Sequence, residues 1–401
     1  MEKSESLNIE EVEGSMKREW DLLHTPGPTP IPPSVERSMN QPMIGHRGGK
    51  AKDLINAIAP KLKPVFGTSG EVLVVTGSGT SSLEASVVNT TKPGDKAIVV
   101  VAGAFGDRFA QICETYELDV VRVEVPWGKA VEISQVEEAL QEHPDTKAVF
   151  LTHCETSTGV MHPVEKIAER VKSISSALVI VDGVSSIGGA EVKMDQSGID
   201  ILVSGSQKAM MLPAGLAFLA VGAQAWSVID ENPRPRFYLD LRKYRQQLEG
   251  GQTPFTPALS LLFGLQQVLG LLEEEGLDRV FERHQTMKEM TRDACRALNL
   301  PLLVSDEDAS STVTSIRPES FEAEQLRKVA NEEFGLILAG GQKHMKGEIF
   351  RIGHMGYCRP ANVLQYIGIL EIVLKRLGHE FEPGAGVAAA QAVYLERTRE
   401  E

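Results

Sequence analysis

Between residues 72 and 221 the sequence alternates seven short apolar, β-branched runs with amphipathic stretches, and nothing else in the chain constrains its fold as tightly. The runs cover 72–75, 97–101, 120–125, 148–151, 178–181, 201–203 and 217–221. With so few polar interruptions they read as strands buried on both faces. The stretches before and between them, chiefly 53–66, 80–91, 106–117, 134–142 and 163–175, carry apolar residues at helical spacing. Strands alternating with helices build βαβ units. The pattern therefore predicts an α/β fold: a large domain with a mainly parallel mixed sheet flanked by helices.

After residue 230 the pattern changes. Residues 230–256 are rich in Pro, Arg, Tyr and Gln. A long helix is predicted from near Pro257 through LSLLFGLQQVLGLLEEEG, and another over 277–297. Strand candidates at 312–316 and 349–352, with helices at 322–333 and 360–376, make a smaller C-terminal α+β domain. HTPGPTPIPPS packs five prolines into residues 24–34, which dictates an extended, partly polyproline arm, a linker or a strap across the body or a partner subunit. The expected organisation is a charged leader over 1–21, the arm over 22–48 and the large domain over 49–260. The small domain with its connecting helix follows over 261–384, and a helix-prone tail without an evident core role over 385–401. A chain of 401 residues suits roughly two domains of about 100–200 residues each.

The net charge of −14, with no basic runs or basic–aromatic clusters, argues against nucleic acid or an anionic membrane as a partner. Four widely spaced cysteines without a C-x-x-C pair argue against a disulfide framework or zinc and for a reducing compartment. His153, Cys154 and Glu155 are consecutive, so a strand cannot aim all three at one ion, and no metal is expected. With no signal-peptide core and no apolar run near ~18 residues, a soluble, cytoplasmic protein is expected.

The chemistry is concentrated where strands end. In ALVIVDGVSS…IDILVSGSQKAM, Asp182 closes one apolar run and Lys208 lies just beyond the next. The carboxyl ends of parallel strands share one sheet edge, where open α/β folds bind ligands. A lysine there can hold the aldehyde of pyridoxal phosphate as a Schiff base. A carboxylate can keep the pyridine nitrogen protonated, so that the ring draws off electrons. An N-cap Asp and a surface Lys would leave the same spacing. VVTGSGTSSLEAS (74–86) reads as strand, glycine turn and helix start. Ser78, Gly79 and Thr80 there form a phosphate cradle, or Thr80 or Ser81 caps the helix. The segment has neither the third glycine of the dinucleotide fingerprint nor the Gly-Lys-Ser/Thr of a P-loop. Phe105, in VVVAGAFGDR, is placed to stack on a flat ring or to serve as core. In LTHCETSTGV, Ser157 is a candidate hydrogen-bond partner for a phenolate oxygen, while Thr156 and Thr158 read equally as turn residues. Arg351, inside the apolar IFRIGHMGY, needs a partner, either a bound carboxylate or an internal salt bridge. Five strand-end features on one edge point to a pyridoxal-phosphate site.

Taken together, PGPTPIPP, MIGHRGG, VVTGSGTSSLEA, GAFGDR, LTHCETSTGV, VDGVSSIGG, SGSQKAM and FRIGHMGY carry a resemblance. Over about residues 22–380 the chain resembles the class V, fold-type I PLP-dependent aminotransferases, in the alanine–glyoxylate and serine–glyoxylate (serine–pyruvate) branch. The resemblance implies Lys208 as Schiff-base lysine and proton shuttle, Asp182 on the pyridine nitrogen, and Gln207 and Ser157 near the ring hydroxyl. It further implies Ser78, Gly79 and Thr80 on the phosphate and Arg351 on the substrate α-carboxylate. Phe105 stands where many relatives carry a stacking Trp. A homodimer with shared active sites is implied, in which Thr253 and Thr256 of GGQTPFTPA reach the neighbouring subunit's phosphate. His46 and Arg47 would lie near that interface. Gly27 of the arm would lie beside the substrate, where a side chain would collide. The implied reaction is ping-pong transfer of an amino group from alanine or serine to glyoxylate or a similar 2-oxo acid. The alternative is an (S)-ureidoglycine–glyoxylate aminotransferase. Two other readings stay open: a cysteine desulfurase or β-lyase using Cys358 as a mobile thiol, and a non-enzymatic scaffold of the hydrogenase-associated kind.

Overall fold

The computed structural model describes residues 20–398, so the expected leader lies outside the described residues up to residue 19, as do residues 399–401 of the tail. All seven apolar runs form strands of one sheet: β1 (Glu71–Gly77), β2 (Lys96–Val101), β3 (Asp119–Glu124), β4 (Ala148–Thr152), β5 (Leu178–Asp182), β6 (Ile201–Gly205) and β7 (Gly215–Val221). Their spatial order is β1-β7-β6-β5-β4-β2-β3, with β7 antiparallel to both neighbours and the other pairs parallel. The period-two alternation of the strands sorts their side chains into two core layers. Ile98, Val100, Val149, Leu151, Val179 and Val181 face one layer; Val99, Phe150, Leu178 and Ile180 face the other.

The small domain is a three-stranded antiparallel sheet, Val313–Ile316, Phe350–Gly353 and Ala339–Gly340, with Phe350–Gly353 in the middle. Helices Leu277–Ala297, Ala323–Phe334 and Pro360–Arg376 cover it. The tail has a packing role: residues Ala385–Arg397 form a helix that buries Ala390 and sets Val387 and Val393 against the small-domain core. Its small residues permit the close approach, since a Cβ on Gly386 would lie 2.8 Å from Leu298.

The proline arm is a strap. Leu22–Leu23 pairs in parallel with Leu336–Ile337 of the small domain, and His24 and Thr25 cross the end of strand Phe350–Gly353. The arm is not extended throughout, because Pro33–Met39 is helical. Proline at the first helical position costs no hydrogen bond there, and its fixed φ suits the helix. Among the described residues no helix is long and apolar enough to cross a membrane, and no group of three or more His, Cys, Asp or Glu residues is arranged to hold a metal.

Candidate active site

Strands β1, β2, β4, β5 and β6 run in the same sense, so their carboxyl ends meet at one edge. Asp182 is the last residue of β5, in register with Thr152 of β4 and Val203 of β6. Lys208 follows β6 by three residues. Both line one cavity of about 680 Å³ of space including its mouth, together with Gly27, Ser78, Gly79, Thr80, Phe105 and Gln207.

The lysine is held by the strap. Its Nζ donates to the carbonyl of Pro26, and its own carbonyl accepts from Thr29 Oγ1 at 2.8 Å. Gly27 sits against its side chain with φ +106°, and a Cβ there would lie 2.4 Å from Lys208 Cδ. The collision foreseen at this position is therefore with the lysine itself. Burial lowers the Lys208 amine to about 8, with Arg351 pushing the same way and Asp182 opposing. Burial raises the Asp182 carboxyl to about 6, against the N–H of Val184 that donates to its Oδ1 at 2.8 Å.

Ser78 is the N-cap of the helix Gly79–Thr90, yet no side chain caps that helix. Ser81 instead turns back, its hydroxyl donating to the Ser78 carbonyl at 2.6 Å. Neither Thr80 nor Ser81 acts as cap, and the amides of Gly79 and Thr80 find no protein partner among the described residues. Two unpartnered amides at the positive end of a helix, opening on a cavity, suit an anion. Phe105 lies in the first turn of the helix Ala104–Thr115, with Lys208 Nζ 5.8 Å from its ring centroid.

Four of the candidate site residues do not line this cavity. Ser157 does not line the cavity: its hydroxyl donates to Glu155 at 2.5 Å and accepts from the amide of Ala104 at 3.0 Å. The wall residues from that segment are Cys154 and Thr156, which alternate with Glu155 and Ser157 turned toward the helix Ala104–Thr115. Thr253 and Thr256 line a separate apolar hollow with Ile55, Ile58, Tyr238 and Phe255, where the guanidinium of Arg47 donates to the Thr253 carbonyl at 2.6 Å. Arg351 adjoins the cavity wall rather than lining it. Its guanidinium donates to the carbonyls of Gly340 (3.0 and 2.7 Å) and Thr156 (2.7 Å), and no carboxylate forms an ion pair with it among the described residues. Burial lowers Arg351 to about 10, so it stays charged at neutral pH.

The cavity also contains residues that sequence reasoning did not assign. Arg108 lines it, with its guanidinium carbon 5.0 Å from the Phe105 ring centroid. The signal for it was the one-turn spacing from Phe105 along a helix. Cys154 and Ser185 line it too, the thiol pushed up to about 11 by burial. Cys358 does not line the cavity; it is 3% exposed in the small-domain core, with its thiol raised to about 12 by burial.

Comparison with known proteins gives a consistent outcome. The family model described as aminotransferase class-V matches residues 23–361. The "Soluble hydrogenase, small subunit" of Synechococcus sp. (strain PCC 6716) is 43% identical over 375 residues, covering 93% of this chain and 98% of that protein. The serine–glyoxylate aminotransferase of Methylorubrum extorquens is 36% identical, covering 93% of this chain and 96% of the relative. A solved structure, the ureidoglycine–glyoxylate aminotransferase of Bacillus subtilis, superposes with a TM-score of 0.88 at 30% identity, over 95% of this chain and all of that one.

Proposed function

The chain belongs to the class-V aminotransferase family, and from that premise we propose that it moves an amino group from alanine or serine to glyoxylate or a similar 2-oxo acid, using pyridoxal 5′-phosphate. One observation carries the reading: a buried amine, Lys208, and a buried carboxylate, Asp182, share a cavity with an uncapped helix N-terminus. The donor set fits the cofactor. Gln207 lines the cavity with a buried Oε1 that has no donor, which a ring hydroxyl would supply. Ser78, Gly79 and Thr80 would hold the phosphate, Phe105 would cover the ring, Gln207 and Thr156 would take the ring hydroxyl, and Asp182 the pyridine nitrogen. When bound, the cofactor supplies an aldehyde that condenses with amines and a ring that accepts electron density from the substrate α-carbon.

The protein's own residues divide the rest. Lys208, lowered to about 8, holds a neutral fraction at neutral pH that can take a proton from one atom and return it to another. The Pro26 carbonyl and the missing side chain of Gly27 fix where that amine sits. Arg351 spends three of its N–H groups on two backbone carbonyls, which orients the guanidinium and leaves donors for a substrate carboxylate.

The proposal extends to a homodimer with shared sites, Thr253 and Thr256 serving the neighbouring subunit. It is supported by their position off their own subunit's cavity and by the exposed aromatics Phe237 and Tyr238 beside Phe255. Four free, buried thiols support a reducing, cytoplasmic location. (S)-Ureidoglycine is the alternative donor, favoured by the likeness to the Bacillus subtilis structure. A fixed, buried Cys358 argues against desulfuration, and a complete lysine–carboxylate–anion site argues against a scaffold, despite the Synechococcus relative's name. The test is a half-reaction screen on the loaded protein. Alanine or serine should bleach the visible cofactor absorbance and glyoxylate should restore it; Lys208→Ala should slow transfer by about 10²–10⁴-fold. If no small amino acid changes the absorbance, or Lys208→Ala transfers normally, the reading is wrong.

A further inference from the structure

We propose that Glu155 is a positioning residue: together with Ser157 it caps the helix Ala104–Thr115 from a distant segment and so holds Phe105 against the cavity. The first turn of this helix has N–H groups on Ala104, Phe105 and Gly106 with no partner inside the helix. Its own N-cap residue, Gly103, has no side chain to offer them. One segment satisfies all three. Ser157 Oγ accepts from the Ala104 amide at 3.0 Å, and Glu155 Oε2 accepts from Phe105 at 3.1 Å and Gly106 at 3.0 Å. The two cap residues are tied to each other as well, the Ser157 hydroxyl and amide both donating to Glu155 Oε1 at 2.5 and 3.1 Å.

This clasp accounts for features that the cofactor reading leaves aside. Glu155 is fully buried without an ion-pair partner among the described residues, an unfavourable place for a carboxylate unless hydrogen bonds and a helix dipole offset it. A Cβ on Gly103 would lie 2.3 Å from Glu155 Cδ and 2.5 Å from Ser157 Oγ, so a side chain there would push the clasp apart. Ser157 has both functions of its hydroxyl committed, which leaves Thr156 to line the cavity. Phe105 therefore has its own amide and both flanking amides fixed, while its ring lines the cavity. The aromatic wall and the hydroxyl wall of the site come from segments 50 residues apart in sequence, and the clasp joins them.

The role of Phe105 rests on the cofactor reading above; the cap does not, and the test separates them. Glu155→Gln keeps the shape but puts an amide NH2 where a backbone or hydroxyl donor now points. In the cofactor-free protein, hydrogen exchange at the amides of Phe105 and Gly106 should speed up about tenfold or more, with the later turns of the helix still protected. If Glu155→Gln does not fold, Ser157→Ala carries the same arm, with faster exchange at Ala104 and little change at Gly106. In the pyridoxal-phosphate-loaded protein, the visible circular dichroism of the cofactor should change in Glu155→Gln as it does in Phe105→Leu. The double variant should lose no more cofactor affinity than Phe105→Leu alone, since one residue acts through the other. Unchanged exchange at 105 and 106, or affinity losses that add in the double variant, would overturn the proposal. If the unmodified protein binds no pyridoxal phosphate, the functional reading falls and the exchange measurement still decides the cap.

Discussion

The helices Gly79–Thr90 and Ala104–Thr115 both follow a strand of the same sheet, bury their apolar sides in the same core layer and start without a cap from their own N-cap residue. In the first, the amides of Gly79 and Thr80 remain open to the cavity; in the second, Glu155 and Ser157 occupy the amides of Ala104, Phe105 and Gly106. The positive end of one helix is left open to the cavity and that of the other is capped by the protein. What separates them is not local sequence but whether a carboxylate from another segment reaches the turn. One βα-turn design thus occurs twice, once with its amides open to the cavity and once with them tied to another segment.

Truncation at the mount should give the largest effect. Glu155→Ala leaves the backbone amides of Phe105, Gly106 and Ser157 without their acceptor, at about 1–3 kcal/mol each before relaxation, so the cofactor-free protein should lose about 3–5 kcal/mol in a denaturant titration. Ser78→Ala at the other helix removes no cap and should shift the same titration by less than about 0.5 kcal/mol. Equal losses at the two sites would erase the distinction between them.

A carboxylate introduced at the open helix should sharpen it. Ser78→Asp gives that helix the kind of cap Glu155 gives its neighbour, and the two properties should move in opposite directions. The cofactor-free protein gains about 0.5–1 kcal/mol from the cap and dipole. Pyridoxal-phosphate affinity falls by about 30-fold or more, because a second anion competes for the same amides. Fluorescence titration measures the affinity and thermal unfolding the stability. An unchanged affinity would remove the phosphate from this helix.

The open helix was legible in sequence and the closed one was not, for a physical reason. Ser78, Gly79 and Thr80 are contiguous, and their glycine turn after an apolar strand announces itself. The sheet was legible in the same way, since continuous β-branched runs leave few alternatives and put Asp182 and Lys208 on one edge. The cap on Ala104–Thr115 comes from Glu155, and a local reading of GAFG finds only glycine where a cap is sought. The same limit explains Ser157, whose hydroxyl is taken by the amide of Ala104, a partner far away in sequence. It explains Arg351 too, whose partners are the backbone carbonyls of Gly340 and Thr156, which no side-chain pattern encodes. Residues that act through their neighbours in sequence were readable; those that act through neighbours in space were not.

The smallest expected effect concerns pH and belongs to the lysine rather than to either helix. The amides of Gly79 and Thr80 carry no titrating proton, and among the described residues no carboxylate caps that helix, so its attraction for an anion should vary little between pH 7 and 9. Lys208 does titrate there, because burial brings its amine from the ordinary lysine range to about 8. Only the neutral amine attacks an aldehyde. Below about pH 8 the neutral fraction falls roughly tenfold per unit, and above it the fraction saturates. The rate at which the cofactor-free protein captures pyridoxal phosphate should therefore rise about tenfold from pH 7 to pH 9 and then level, as followed by stopped-flow absorbance. A rate that is flat over this range would mean that docking at the helix, not the lysine, limits capture. A rate still climbing steeply above pH 9 would mean that the amine is solvated during capture, with Pro26 and Gly27 of the strap lifted from Lys208. In either case the division of labour between an untitratable anion site and a titratable nucleophile would have to be redrawn.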